Sequence, residues 1–160
     1  MGFDFRFRFL EDEKELKQLK NFLIEQPFSY PNYEDWVERT IPEIDCGYKK
    51  TILAFSDDIL AGDLIFQPHK TLSKVMELKN MRIHPDFKRR YFGFFMLRQM
   101  EAESKDYDAI TCDARSDMVN VLSLLKLCGY REISRVPLYD PNVEDIILLK
   151  NLKNPLNISN

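Results

Sequence analysis

Cysteine, histidine and net charge are scarce in this chain, and each scarcity excludes something. Three cysteines, Cys46, Cys112 and Cys128, stand far apart. That spacing offers neither the paired ligands of a zinc site nor a disulfide framework. Cys112 and Cys128 lie in apolar segments and read as reduced core residues. The formal net charge is -3, so no overall field draws in a polyanion such as nucleic acid. Any basic site is local, and Lys88-Arg89-Arg90 is the one run of three cations. No stretch reaches the roughly 18 consecutive apolar residues of a membrane span. The opening MGFDFRFRFLEDE is interrupted by charges throughout, unlike a secretory leader. Gly2 is present, but Phe7 stands where a myristoylation signal wants Ser or Thr. No repeat, linker or low-complexity block is visible. The expectation is a cytoplasmic protein with no metal, no membrane and no nucleic-acid partner.

Enough apolar material is present for a core. Of 160 residues, 44% are hydrophobic and twelve are Phe. One compact domain over residues 1–153 is the expectation, with 154–160 as a frayed tail. Residues 3–9 alternate Phe3, Phe5, Phe7 and Phe9 against Asp4, Arg6 and Arg8, the pattern of a strand with one buried face. Residues 11–25 place Leu16, Leu19, Phe22 and Leu23 at helical spacing, and Pro27 and Pro31 follow. A short helix is read over 33–40 around Trp36 and Val37. Strands over 51–56 and 59–66 form a hairpin across Asp57-Asp58. Strand 75–84, helix 92–104, strand 108–114 and helix 117–128 come next, with Gly129 as a C′ residue. Strands over 131–138 and 144–151 flank the turn Asp140-Pro141-Asn142. The order is β-α-α-β-β-β-α-β-α-β-β. Strand–helix–strand units in the second half require at least one parallel pair, and the hairpins make the sheet mixed.

Residues 75–97 are the most informative stretch. Met76 and Leu78 are apolar on even positions, Met81 and Ile83 on odd ones. Such a slip in the two-residue period predicts a β-bulge near Lys79 or Asn80; the alternative is a strand buried on both faces with polar interruptions. The strand runs into Pro85, then a short basic loop, then a helix start at Phe92-Gly93. Strand, basic loop and helix N-terminus make an anion site. The first helical amides lack partners within the helix and the dipole adds positive charge. Lys88, Arg89 and Arg90 add full charges, so a phosphate-bearing ligand is indicated; a solvated basic turn is the plain alternative.

The order of elements over roughly residues 3–150, together with this loop, resembles the GNAT superfamily of N-acetyltransferases. The family signature is Arg/Gln-x-x-Gly-x-Gly/Ala after a strand ending near a proline, and its amides bind the pyrophosphate of acetyl-CoA. An ungapped match on Pro85 sets Lys88 at the Arg/Gln position, Tyr91 at the first glycine and Gly93 at Gly/Ala. A shifted register starts at Arg90 and sets Phe95 where a small residue is wanted. The first register keeps Met96 and Leu97 on the helix's apolar positions. The resemblance implies an α/β fold: a mixed, mostly antiparallel, twisted sheet of about seven strands with helices on both faces. It implies acetyl-CoA, or another acyl-CoA, held by Met81, Arg82, Ile83, Lys88, Arg89, Arg90, Tyr91, Phe92, Gly93 and Phe94. The helix-entry asparagine of the family falls on Met118, with Asn120 two residues on as its substitute.

Amine acetylation needs a group that takes a proton. Glu77 falls where the resembling histone-acetyltransferase branch carries its glutamate base; the other assignment is a glutamate paired with a nearby lysine. His84 is the second candidate, since its free pKa suits base chemistry near neutrality. His69 has a weaker claim. The family's general-acid pattern Leu-Tyr-x-x-x-Gly-Phe appears as Leu124-Leu125-Lys126-Leu127-Cys128-Gly129-Tyr130. Leu125 cannot donate a proton, which leaves Tyr130, Tyr139 or water. Cys128 as an acyl-carrying nucleophile lacks a neighbouring activating His.

On the acceptor side, residues 25–45 carry Glu25, Glu34, Asp35, Glu38, Glu43 and Asp45 against Arg39, with Tyr30, Tyr33 and Trp36 interleaved. An acidic, aromatic lip suits a cationic amine; an ordinary solvated helix is the alternative. The expected activity is acetyl transfer from acetyl-CoA to a small-molecule or peptide amine by direct attack. A non-catalytic acyl-CoA-binding or regulatory module on the same fold is the alternative, and a plain interaction domain the third. The acceptor's identity and homodimer formation are left open by the residues.

Overall fold

The computed structural model describes residues 5–26 and 30–153. Expectations that fall on Phe3, Asp4, Pro27 and the tail 154–160 lie outside the described residues. Seven strands form one sheet in the order β1-β2-β3-β4-β5-β7-β6. The strands are β1 (Phe5–Phe9), β2 (Lys50–Ser56), β3 (Ile59–Pro68), β4 (Val75–Ile83), β5 (Ala109–Arg115), β6 (Arg131–Val136) and β7 (Asp145–Asn151). Only β4 and β5 pair in parallel; every other neighbouring pair is antiparallel. The mixed, mostly antiparallel sheet is thus as the sequence implies.

Helices cover both faces. Helix α1 (Glu13–Glu25) starts at Asp12, whose side chain accepts from Glu15 N at 2.9 Å, a cap for an otherwise unpaired donor. Helix α2 (Tyr33–Asp45) runs past the expected end at residue 40, through Pro42. Pro42 forfeits one donor only, while Ile44 beyond it is buried and packs with α1 and the sheet. Buried Leu19, Leu23, Val37, Leu53 and Ile65 form the core on this face. Helices α3 (Phe92–Glu103) and α4 (Val119–Leu127) cover the other face, over Leu64, Phe66, Met76, Ile110 and Leu148. Gly129 ends α4 with φ of +95°, the left-handed C′ geometry the sequence predicts.

The period slip in β4 is a real bulge. Asn80 pairs with Ile65 and Leu78 pairs with Phe66, so Lys79 is an extra residue on β4. The bulge lets Met76 and Leu78 before it, and Met81 and Ile83 after it, all pack against the α3–α4 core. Asn80 and Arg82 are buried on the opposite face, beside Asp63 of β3. Both sequence alternatives hold at once: the strand is bulged and both of its faces are covered.

Two glycines meet their neighbours at close range but with different consequences. A Cβ on Gly62 would lie 2.7 Å from the backbone oxygen of Arg82, which the sheet holds in place. On Gly93 it would lie 2.8 Å from Cδ2 of Leu124, the movable end of a side chain. Gly62→Ala is expected to cost about 1–3 kcal/mol, the range for overpacking, whereas Gly93→Ala should be close to neutral. Denaturant melts of the two variants check the contrast; equal losses would show that α3 and α4 cannot give way.

Candidate active site

The parallel pairing of β4 and β5 runs from Val75–Ala109 to Leu78–Cys112 and stops there. Beyond that point β4 stays on β3 through Ile83, and β5 stays on β7 through Arg115. The two strands part at the bulge, and each leaves one edge of backbone without a strand partner. A cleft of about 360 Å³ fills the gap, within the usual size of small-molecule sites. Its α4 side is apolar: Leu78, Met81, Cys112, Val121 and Leu125. Its α2 side is aromatic: Tyr30, Tyr33 and Trp36, with Arg39. Lys79, Asn80, Asp113 and Tyr139 lie among them.

Met81 links the cleft to the first turn of α3. It lines the cleft and has its sulfur 3.7 Å from the Cβ direction of Gly93. After a single 3₁₀ turn (Pro85–Phe87), Lys88 is extended, Arg89 has φ of +65° and Tyr91 has φ of +64°. Tyr91 precedes α3 and makes no side-chain capping bond. The amides of Phe92, Gly93 and Phe94 therefore begin the helix without helical partners. Tyr91 holds the left-handed conformation a glycine would take there, and its ring is 76% exposed. That is how a tyrosine replaces a glycine without filling the loop. Gly93 is buried against α4. Both observations fit the register that sets Tyr91 and Gly93 at the two glycine positions. Lys88, Arg89 and Arg90 are exposed, and among the described residues none of them forms an ion pair. Arg90 lies over the Phe87 ring at 5.5 Å. Phe92 is core, edge-on to Phe7 at 5.3 Å.

The expected proton acceptors lie elsewhere than the cleft lining. Glu77 sits beside the last paired residues of β4, with Oε1 2.9 Å from Lys79 Nζ and Oε2 3.4 Å from Gln67 Nε2. It is the glutamate paired with a lysine, and it adjoins the lining only through Lys79. His84 caps the 3₁₀ turn, its Nδ1 accepting from Asp86 N at 3.1 Å. It lies at the far end of β4 from Glu77, so the structure does not bring the two together. His69 likewise accepts two backbone amides in its own turn. Arg82 is buried, its guanidinium 5.7 Å from the Tyr33 ring. Its backbone pairs with Asp63 of β3. Asn120 is exposed in the first turn of α4.

The candidates for the acid separate clearly. Leu125 is 1% exposed and lines the cleft. Tyr130 is buried in the α3–α4 core, away from the lining, and burial raises its pKa. Tyr139, in the connection from β6 to β7, does line the cleft, as does Asp113, and burial raises its pKa. The Cys112 thiol is pushed up to about 12 by burial, with Asp113 adding to it, and Cys128 is raised by burial too. Neither is a thiolate nucleophile. On α2 the expected lip divides: Tyr33 and Trp36 turn to the cleft, while Glu34, Asp35 and Glu38 are exposed, Glu38 pairing with Lys20 at 3.0 Å.

Two carboxylates escaped the sequence reading. Asp113 of β5 lines the cleft, and burial raises its pKa, with the Lys79 charge and the Tyr139 hydroxyl opposing. Asp63 of β3 is fully buried; its Oδ2 accepts from Asn80 Nδ2 at 2.7 Å. The signal was there in both cases: a lone Asp inside an apolar strand, Leu60-Ala61-Gly62-Asp63-Leu64 and Ile110-Thr111-Cys112-Asp113-Ala114.

No protein-family model and no curated protein sequence matches the chain. Solved structures do. The crystal structure of an acetyltransferase of the GNAT family from Desulfovibrio desulfuricans aligns with a TM-score of 0.82 at 12% identity, over 94% of this chain and 100% of that one. The ribosomal-protein-S18-alanine N-acetyltransferase of Escherichia coli aligns at 0.74 and 18% identity, over 98% and 100%. Spermidine N-acetyltransferase from Vibrio cholerae, a dodecamer, aligns at 0.73 and 14% identity, over 98% of each. At these identities the likeness is one of fold: the chain has the fold of the GNAT acetyltransferases.

Asp63 gives the structure a pH signature. Burial pushes its carboxyl up to about 7, against the Asn80 hydrogen bond and the Arg82 charge. An unfolded aspartate titrates near 3.9. Between these values the unfolded chain has lost the proton that the folded chain retains, so stability falls as pH rises from about 4 to about 7. Asp63→Asn is expected to flatten that slope in Tm against pH. An unchanged slope would assign the titration to another group.

Proposed function

We propose that this protein is an acyl-CoA-dependent N-acyltransferase that moves acetyl from acetyl-CoA to a primary amine by direct attack. The observation that carries the proposal is the parting of β4 from β5 beside an uncapped helix N-terminus with three unpaired cations. A helix start of this kind binds phosphate through its amides and dipole. The residues present fit such a group: nothing in the described chain occupies the amides, and Tyr91 leaves the loop open. The amides of Phe92, Gly93 and Phe94, with Lys88, Arg89 and Arg90, would hold the pyrophosphate. The edge of β4 that faces away from β3 at Met81, Arg82 and Ile83 would meet the arm that carries the acyl group. When bound, the cofactor supplies an activated thioester.

The rest falls to the chain's own residues. The apolar wall of Leu78, Met81 and Leu125 excludes water from the thioester side. The aromatic wall of Tyr30, Tyr33 and Trp36 suits a cation with apolar substituents. Both named neighbours whose acceptors are stated act on amines, a protein N-terminal alanine and spermidine, which supports an amine here without choosing one. Leu125 in the cleft leaves the thiolate without the tyrosine donor of the resembling family, and this favours the second reading, a non-catalytic acyl-CoA-binding module.

Calorimetry and thermal melts with acetyl-CoA test the cofactor. At 100 times its dissociation constant the ligand should add about 2.7 kcal/mol of stability. The double variant Arg89→Ala, Arg90→Ala should weaken binding by roughly tenfold or more, about 1.4 kcal/mol, with a smaller salt dependence. No heat and no shift at about 1 mM acetyl-CoA, a level that reports even weak affinity, would end the phosphate reading. Binding without turnover of any amine would favour the second one.

A further inference from the structure

We propose that Asp113, which lines the cleft together with Tyr139, anchors the acceptor amine there as an ammonium ion and then takes its proton. The inference rests on the acyl-transfer reading above and adds to it a residue and a substrate class. Among the described residues Asp113 is the sole carboxylate in the cleft lining, and it makes no ion pair. The other acids nearby are engaged. Glu77 of β4 pairs with Lys79 at 2.9 Å. Asp145 of β7 is buried and accepts from Leu138 N at 3.0 Å. Asp117 pairs with Arg115 at 2.9 Å.

The groups that face Asp113 come from every element around it. Lys79 and Glu77 face it from β4, Asp145 from β7 and Tyr139 from the connection before β7. Tyr30, ahead of α2, feels the charges of Asp113 and Arg115, and its ring lies 5.2 Å from that of Tyr139. Lys79 is paired with Glu77, which leaves Asp113 as the unpaired acid beside the aromatic rings; Arg39, the other cation of the lining, is exposed. It lies on the α1–α2 face of β5, since Cys112 and Ala114 on either side of it pack into the opposite core. Around it stand the rings of Tyr30, Tyr33, Trp36 and Tyr139. A carboxylate within aromatic walls recognises a primary ammonium bonded to an apolar or aromatic group.

The chemistry balances. The Asp113 carboxylate accepts one proton from the ammonium, which leaves a neutral amine with a free lone pair. That lone pair forms the N–C bond to the thioester carbon, and the C–S bond breaks. The second nitrogen proton goes to the departing thiolate, and the proton on Asp113 returns to solvent. Amide, thiol and one released proton account for every atom. No tyrosine at residue 125 is needed, because the attacking nitrogen itself supplies the thiolate's proton.

Asp113 must be ionised to act, so turnover should rise with pH through its pKa, which burial raises. Release of free CoA from acetyl-CoA is measured against pH with 2-phenylethylamine and spermidine as probes. For Asp113→Asn the expected result is a loss in kcat/KM of roughly 100-fold or more, the scale of a general base. The rising limb should vanish while acetyl-CoA affinity by calorimetry stays unchanged. Tyr139→Phe removes, from a half-exposed site, the hydroxyl that opposes the rise in the Asp113 pKa. It should fold, retain turnover and move the rising limb to higher pH; a limb that does not move overturns the role of Tyr139. Wild-type rates and pH limb in Asp113→Asn overturn the proposal, as does a rising limb abolished by Glu77→Gln alone. A wild-type protein that binds acetyl-CoA but turns over neither probe overturns the substrate class. Failure to bind acetyl-CoA at all is a separate result, and it sinks the acyl-transfer reading first.

Discussion

The short parallel contact between β4 and β5 governs this molecule. Four backbone pairs hold the two halves of the sheet together, Val75–Ala109 to Leu78–Cys112. Past them the halves diverge, because the antiparallel partners on either side, β3 and β7, carry each strand its own way. Backbone edges inside a protein need partners or a polar occupant. A gap between two such edges, walled by side chains from both helical layers, is therefore a binding site by construction rather than a defect in the sheet.

The bulge at Lys79 makes that gap usable. A regular strand would put Met81 and Ile83 on the face opposite Met76 and Leu78. The extra residue restores the apolar side to the α3–α4 core and sends Asn80 and Arg82 to the other face. There Arg82 meets the Tyr33 ring, and the Tyr33 hydroxyl donates to Leu23 O at 2.9 Å. One inserted residue thus ties α1, α2 and β4 into the aromatic wall of the cleft. It also turns Lys79 toward Glu77, which occupies the glutamate that a linear comparison would choose as the base.

Electrostatically the site is divided. Lys88, Arg89 and Arg90, which form no ion pair among the described residues, gather at the surface on the loop before α3. Among the described residues of the cleft lining Asp113 is the one carboxylate, its pKa raised by burial, and Lys79 and Arg39 are the cations. The α4 wall has no charge at all. Such a division would keep a polyanionic cofactor apart from a cationic acceptor, as the proposed reaction requires. The aromatic rings between them carry cation affinity without adding a competing full charge.

Much of this was legible in the chain itself. Period-two and helical patterns place every strand and helix in order, with ends off by a few residues, and the slip between Leu78 and Met81 locates the bulge. Those features are local, since they depend on which side chains one element must bury. The basic loop before α3 and the helix start at Phe92 were also readable, but not the left-handed φ that Tyr91 takes between them. What the sequence could not determine is where β4 and β5 part and which carboxylate then stands in the opening. Glu77 and Asp113 look alike as single acids in apolar strands. Their difference comes from pairing: Glu77 lies beside the lysine that the bulge turns toward it, and Asp113 lies one residue past the last parallel pair, beside Tyr139. Contacts between residues 77 and 79, or 113 and 139, follow from strand register and loop placement, and only the assembled tertiary structure sets those.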